Sequence, residues 1–118
     1  LDSRSMTGTP EYMAPETFSR GIINPVLRDM YSLGVTMYQM LSGRLPFESK
    51  SARQVLRLHC TTRPPSLDSL CEGVPDGLLD LVSRLLAKQP IRRPQSYTSL
   101  IRELTSLELA TLHTRYAA

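Results

Sequence analysis

The segment from Arg28 to Leu41 constrains this chain most. Met30, Leu33, Met37 and Leu41 recur at helical spacing and mark one face, while Val35, Tyr38 and Met40 fall on others. A helix apolar on nearly every side has to be enclosed by other elements rather than laid on a surface. Gly43 stands where a left-handed C-terminal cap would go, and Pro46 prevents continuation. The remaining segments must therefore wrap this helix, and a chain of 118 residues can build one small core around it.

Those segments read as further helices. Ser49 or Ser51 is placed to cap a short helix over Ala52 to His59, with Val55, Leu56 and Leu58 as its apolar residues. Thr61 to Pro75, which contains Pro64 and Pro65, reads as a loop. Asp76 is a natural N-cap for a helix over Leu78 to Ala87, whose Leu78, Leu81, Val82, Leu85 and Leu86 form one stripe. A last helix is expected from about Ser96, presenting Tyr97, Leu100, Ile101, Leu104 and Leu107. Residues 1–27 show no period; with Pro10, Pro15 and Pro25 they read as an ordered loop with one helical turn near Pro15 to Ser19. No segment alternates with period two, so the chain is expected to be all-α.

Composition limits the function classes. Apolar residues make up 41% and charged residues 21%, a balance that suits a globular domain. The net charge of +3 comes from arginines scattered along the chain without a basic block, so nucleic acid is not an expected partner. Cys60 and Cys71 lack metal-ligand spacing and read as free thiols, and no metal site is expected. No apolar run is long enough to span a bilayer, and no signal-like segment is present; a cytoplasmic location is expected, with no membrane contact within this chain, although a longer parent could carry a membrane anchor outside it.

Three strings carry more specific information: "GTPEYMAPE" from Gly8 to Glu16, "DMYSLGVTMYQMLSGRLPF" from Asp29 to Phe47, and "LLAKQPIRRP" from Leu85 to Pro94. In order and spacing they resemble the second half of the large lobe of a eukaryotic-type serine/threonine protein kinase, with wording closest to bacterial members. The likeness runs from about Ser5 to Leu107. It implies a helical C-lobe fragment of the kinase-like α+β fold: a partial kinase domain over residues 1–107, from the end of the activation segment to the last helix. Residues 108–118 would be a helix extension or a linker.

The resemblance also assigns roles. Thr9 matches the threonine whose hydroxyl supports the catalytic aspartate and lysine, both absent from these residues. Met6, Gly8, Thr9, Pro10, Glu11, Tyr12, Met13 and Gln39 match the substrate-binding region. Met6, Pro10 and Met13 would form an apolar pocket for the residue after the phosphoacceptor. Gln39 stands where many relatives have a glutamate, which removes a charge that would favour basic substrates but leaves a hydrogen bond to Tyr12 feasible. Ser5, with Thr7 and Ser3 as neighbours, falls where an activating phosphate is common.

Three further residues match architectural positions of the family. Glu16 would form a buried ion pair with Arg93, not Arg92, counting back from Pro94. Asp29 would open the long helix, favoured by its dipole, and anchor the catalytic loop.

For the parent protein the resemblance implies ATP and Mg2+ as cofactors and protein substrates with Ser or Thr acceptors. The Gly-rich loop, strand lysine, H-R-D and D-F-G segments that hold ATP do not occur in these 118 residues. The fragment is therefore expected to begin in mid-domain, to bind no ATP or Mg2+, and to be inactive. Its natural partner would be the missing N-terminal half of the kinase domain, and alone it should expose apolar surface and self-associate. The alternative reading is a pseudokinase or a truncated helical scaffold without catalysis.

Overall fold

A computed structural model of the chain describes residues 9–19 and 21–116. Among these the regular structure is entirely helical: α1 (Pro25–Ser42), α2 (Ala52–Thr61), α3 (Asp76–Leu85) and α4 (Tyr97–Tyr116), joined by short 3-10 turns.

Helix α1 starts three residues earlier than its apolar pattern suggests. Asn24 caps it, its Oδ1 accepting from Val26 N at 2.9 Å and Leu27 N at 3.4 Å. Pro25 takes the first helical position, where a missing N–H costs nothing because that donor has no intrahelical partner. Gly43 ends the helix in the left-handed region (φ 77°) with its N–H on Gln39 O at 2.8 Å.

The enclosure of α1 is less complete than the apolar pattern implies. Leu27, Met30, Tyr31, Gly34, Val35 and Tyr38 are buried, Leu33, Met37 and Leu41 are half-buried, and Met40 is 78% exposed.

Two clusters make the core, one on each side of that buried face. Tyr31, Val35 and Tyr38 meet Ala14, Leu67, Val82 and Leu86. Met30 meets Leu81, Leu85 and Leu100, with Leu78, Leu104 and Leu107 packed on the edge. Both clusters include residues of α3, so α1 and α3 form the central pair. They cross at Gly34, where a Cβ would stand 2.8 Å from Leu85 Cβ and 3.2 Å from two Leu86 side-chain atoms. Only glycine permits this approach, which accounts for the glycine inside an otherwise apolar helix.

The remaining helix ends differ from the sequence reading in instructive ways. Ser51, not Ser49, caps α2, accepting from Gln54 N at 3.3 Å. Asp76 is not an N-cap: Pro75 holds that place, and Asp76 is the first helical residue, where its charge faces the positive end of the dipole. Helix α3 stops at Leu85 rather than Ala87.

Among the α4 side chains that the structure describes, only Leu100 is fully buried, with Leu104 and Leu107 half-buried. Tyr97 and Ile101 are 47% and 61% exposed, because the cover from α1 and α3 follows the Leu100, Leu104 and Leu107 stripe and is too narrow to include them. From Glu108 to His113 every side chain is exposed. Helix α4 thus projects past the core and stretches the molecule to 58 Å.

Candidate functional site

The segment after Thr9 is a loop held in place by partners far away in sequence. Tyr12 N bonds Thr9 O at 3.2 Å and Met13 N bonds Pro10 O at 3.3 Å, making one tight turn. Met13 and Ala14 then run extended into the interior, 7% and 1% exposed. A second turn, Pro15–Phe18, follows.

Three hydrogen bonds fasten the first turn to α1 and α2. Tyr12 Oη donates to Gln39 Oε1 at 2.5 Å, Ser32 Oγ donates to Tyr12 O at 2.6 Å, and His59 Nε2 lies 3.0 Å from Glu11 O. Thr9 remains exposed at the head of the turn and makes no capping bond. Pro10, Glu11 and Tyr12 are half-buried. Ser3, Ser5, Met6, Thr7 and Gly8 lie outside the described residues.

The second turn is tied to Arg93, which follows the 3-10 turn Pro90–Arg92 between α3 and α4. Arg93 meets Glu16 in a bidentate pair, Nη1 to Oε2 at 2.5 Å and Nη2 to Oε1 at 2.8 Å, across 77 residues of sequence. The guanidinium also donates to Leu27 O and Ala87 O, both at 2.8 Å, and to Lys88 O at 3.3 Å. Its carbon lies 5.0 Å from the Tyr31 ring centroid. A buried charge needs this kind of full satisfaction to be tolerated. Arg92, one residue earlier, is exposed.

Asp29 behaves differently from the sequence reading. Because α1 begins at Pro25, Asp29 lies beyond the first turn, which contains no acid. The dipole therefore gives it little, since that effect fades within one turn. Asp29 is exposed and accepts a hydrogen bond from Tyr97 Oη at 3.1 Å.

Sequence reasoning passed over a group of four residues beside the loop: Tyr31, Phe47, His59 and Lys88. Tyr31 Oη is 2.6 Å from His59 Nδ1, and the two rings meet edge-on. The Phe47 ring stands 5.0 Å from the imidazole at 84°, and Lys88 Nζ lies 4.7 Å over Phe47. Lys88 also donates to Leu58 O at 3.4 Å.

Burial lowers the His59 imidazole to about 4; its hydrogen bond to the Glu11 carbonyl opposes that, and the Lys88 charge adds to it. Burial likewise lowers the Lys88 ammonium to about 8, and burial raises the Tyr31 hydroxyl above the ordinary tyrosine range. The available signal was spacing: His59 follows Val55 by four residues and so shares its buried face.

A cavity of about 870 Å3 opens between Pro64–Asp68 and the end of α3. None of the loop residues Thr9–Met13 lines it, so it does not belong to this site. No helix among the described residues is long and apolar enough to cross a membrane.

Comparison with known proteins matches the architecture just described. The family model of the protein kinase domain matches residues 2–105. The chain is 41% identical over 105 residues to the serine/threonine-protein kinase pkn2 of Myxococcus xanthus, covering 87% of this chain and 12% of that protein. It is 38% identical over 115 residues to Pkn1 of the same organism, covering 96% of this chain and 16% of that one. A third relative is the hybrid signal transduction histidine kinase G of Dictyostelium discoideum, 39% identical over 109 residues, 91% of this chain and 3% of the relative. The chain thus spans less than a fifth of the length of each of these relatives. With the kinase-domain model covering nearly all of its residues, and bacterial serine/threonine kinases among its relatives, this chain belongs to the protein kinase domain family.

Proposed function

We propose that this chain forms the substrate-binding and scaffolding part of the large lobe of a serine/threonine protein kinase. Its parent would transfer the γ-phosphate of ATP to Ser and Thr hydroxyls of protein substrates. The observation that carries this reading is the anchoring of the Thr9–Met13 turn, whose hydrogen bonds reach Ser32, Gln39 and His59 while Thr9 stays exposed. Phosphoryl transfer is mostly positioning and charge stabilisation, so an acceptor loop fixed to a rigid core is what the substrate side of such an enzyme needs. The likeness to the two Myxococcus serine/threonine-protein kinases supports the serine/threonine class.

Within this reading Thr9 supports a catalytic aspartate and lysine supplied by other parts of the parent. Pro10 and Met13, with Met6, select an apolar residue after the phosphoacceptor. Ser5, with Thr7 and Ser3 as neighbours, carries the activating phosphate, and the site of action is cytoplasmic.

The family uses ATP with Mg2+, and among the described residues no group of three or more His, Cys, Asp or Glu side chains is placed to hold a metal ion, so in this reading other parts of the parent would hold the metal.

The test is phosphate transfer from labelled ATP to Ser- and Thr-containing peptides by the full-length protein, wild type and Thr9→Ala. The expected result is transfer by the wild type and a loss of about 100-fold in Thr9→Ala, the scale of a displaced reacting group. Absence of transfer by the wild type would leave a pseudokinase scaffold. A peptide array selecting an acidic or basic residue after the acceptor would remove the apolar pocket from the reading.

A further inference from the structure

We propose that His59 is a positioning residue for the substrate loop, its imidazole joining the Tyr31 hydroxyl of α1 to the Glu11 carbonyl of the loop. This rests on the reading of Thr9–Met13 as the peptide-binding segment. His59 is 1% exposed, at the last turn of α2, and 48 residues separate it from Glu11.

The two bonds fix the tautomer. Glu11 O can only accept, so Nε2 must carry the proton that it receives at 3.0 Å. Nδ1 is then bare and accepts the Tyr31 hydroxyl proton at 2.6 Å. The opposite tautomer would set a bare Nε2 against a carbonyl oxygen, two acceptors with no hydrogen between them. With its imidazole lowered to about 4 by burial the ring is neutral near pH 7, and the two bonds then fix one tautomer in which every polar atom it carries is used.

Its surroundings hold it in that state. Phe47 packs edge-on at 5.0 Å, Lys88 stands beyond Phe47, and Arg93 stands beyond Tyr31. The charged and titratable groups around the imidazole are thus Lys88 after α3, Arg93 with its partner Glu16, Glu11 on the loop, Tyr31 on α1 and its neighbour Cys60 on α2. Burial first, and then the Lys88 charge, oppose its protonation, and the lowered imidazole value agrees with that geometry.

A purely space-filling residue at this place would be served by phenylalanine. What the imidazole adds is a donor aimed at the main chain of Glu11, the residue between Pro10 and Tyr12. That carbonyl sits in the turn whose head presents Thr9, so its displacement moves the acceptor-side surface without touching any nucleotide contact.

The experiment compares His59→Gln, His59→Asn and His59→Phe in the full-length protein. Gln places an amide nitrogen near the position of Nε2 and keeps the bond to Glu11 O; Asn reaches only the position of Nδ1; Phe keeps the shape alone. The expected result is a peptide KM raised about tenfold in H59N and H59F, the effect of one lost buried hydrogen bond, with H59Q within about twofold of wild type. The kcat and the KM for ATP should stay within about twofold throughout. Equal peptide KM in H59Q and H59N, or kcat falling with KM in every variant, would overturn the proposal.

Amide hydrogen exchange at Tyr12 and Met13 is measured on the same proteins and needs no activity. It should accelerate in H59N and H59F but not in H59Q, and unchanged exchange in all three would also overturn the proposal. A wild type that transfers no phosphate while exchange follows this order would defeat the kinase reading and leave His59 as the anchor of the loop. Should H59F fail to fold, the Gln and Asn pair still decides.

Discussion

Helix α1 meets its two sets of neighbours in opposite ways. Against α3 it offers apolar side chains and Gly34, and no side-chain hydrogen bond joins the two helices among the described residues. Against the loop and α2 it offers Ser32, Gln39 and Tyr31, each bonded to a particular atom of Tyr12 or His59. The apolar side sets how near two helices come and tolerates exchange of shapes that conserve volume. The polar side sets where one stretch of main chain lies, and any single loss strands a buried donor or acceptor. The difference explains why the α1–α3 face suits a scaffold and the loop face suits a site.

The largest effect should come from the polar side. Arg93→Ala removes a guanidinium with no exposed side-chain surface and leaves the Glu16 carboxylate and three carbonyls without their donor. The expected cost is about 3–5 kcal/mol, measured by denaturant unfolding of the intact kinase domain. Arg92→Ala should stay within about 0.5 kcal/mol, since Arg92 is exposed. Equal losses for the two would contradict the assignment of the ion pair.

Next comes the apolar side. Gly34→Ala puts a methyl 2.8 Å from Leu85 Cβ, an atom that cannot swing away without moving α3. Overpacking costs about 1–3 kcal/mol, against about 1 kcal/mol regained from helix propensity, so the variant should be destabilised on balance. A more stable Gly34→Ala would show that the two helices can separate freely at their crossing, and the contrast between the two faces would lose its apolar half.

How much of this was legible follows the same division. The apolar clusters were: Leu81, Val82, Leu85 and Leu86 repeat at spacings that only a helix satisfies, and the structure buries all four. The cap at Gly43 was legible because that end has one residue suited to it, whereas at the start of α2 the sequence offered both Ser49 and Ser51 and only the structure chose Ser51. Where two signals competed, the boundary moved. Pro25 reads as a loop residue by composition, yet it is the best residue for a first helical position, and Asn24 before it decided the matter.

Burial on α4 was overestimated at Tyr97 and Ile101 because periodicity marks a stripe but not how wide its cover is. His59 escaped because one histidine among apolar neighbours carries no sequence sign of what its two nitrogens meet. Its partners, Tyr31 and Glu11, are 28 and 48 residues away.

The stability of the domain should also report His59 through pH. An unfolded chain takes up a proton at this imidazole near 6.5, whereas the folded one does so only near 4. Between those values the unfolded state binds more protons, so stability is fully present above about 6.5 and declines as pH falls toward 4. His59→Gln has no such proton to bind, and its unfolding free energy should be flatter than the wild type's between pH 6.5 and 5. Lys88 acts in the other window. Its folded value of about 8 lies below the ordinary 10.5, so stability should rise with pH between them. A His59→Gln curve parallel to the wild type's would place the imidazole in contact with water, against the geometry of the loop.

The smallest effect belongs to the contact that most resembles the loop bonds on paper. Tyr97 Oη donates to Asp29 Oδ2 at 3.1 Å across 68 residues, a long-range bond from α4 to α1. Both side chains are exposed, so water replaces either partner when it is lost, and neither is stranded. Tyr97→Phe should therefore change stability by no more than about 0.5 kcal/mol. Distance in sequence is the same kind of distance in both cases; burial makes the difference. If Tyr97→Phe instead cost as much as the loss of a buried bond, Asp29 would be shielded in the intact protein by a segment packed against this edge of α1. The polar side of the helix would then extend from the loop to α4.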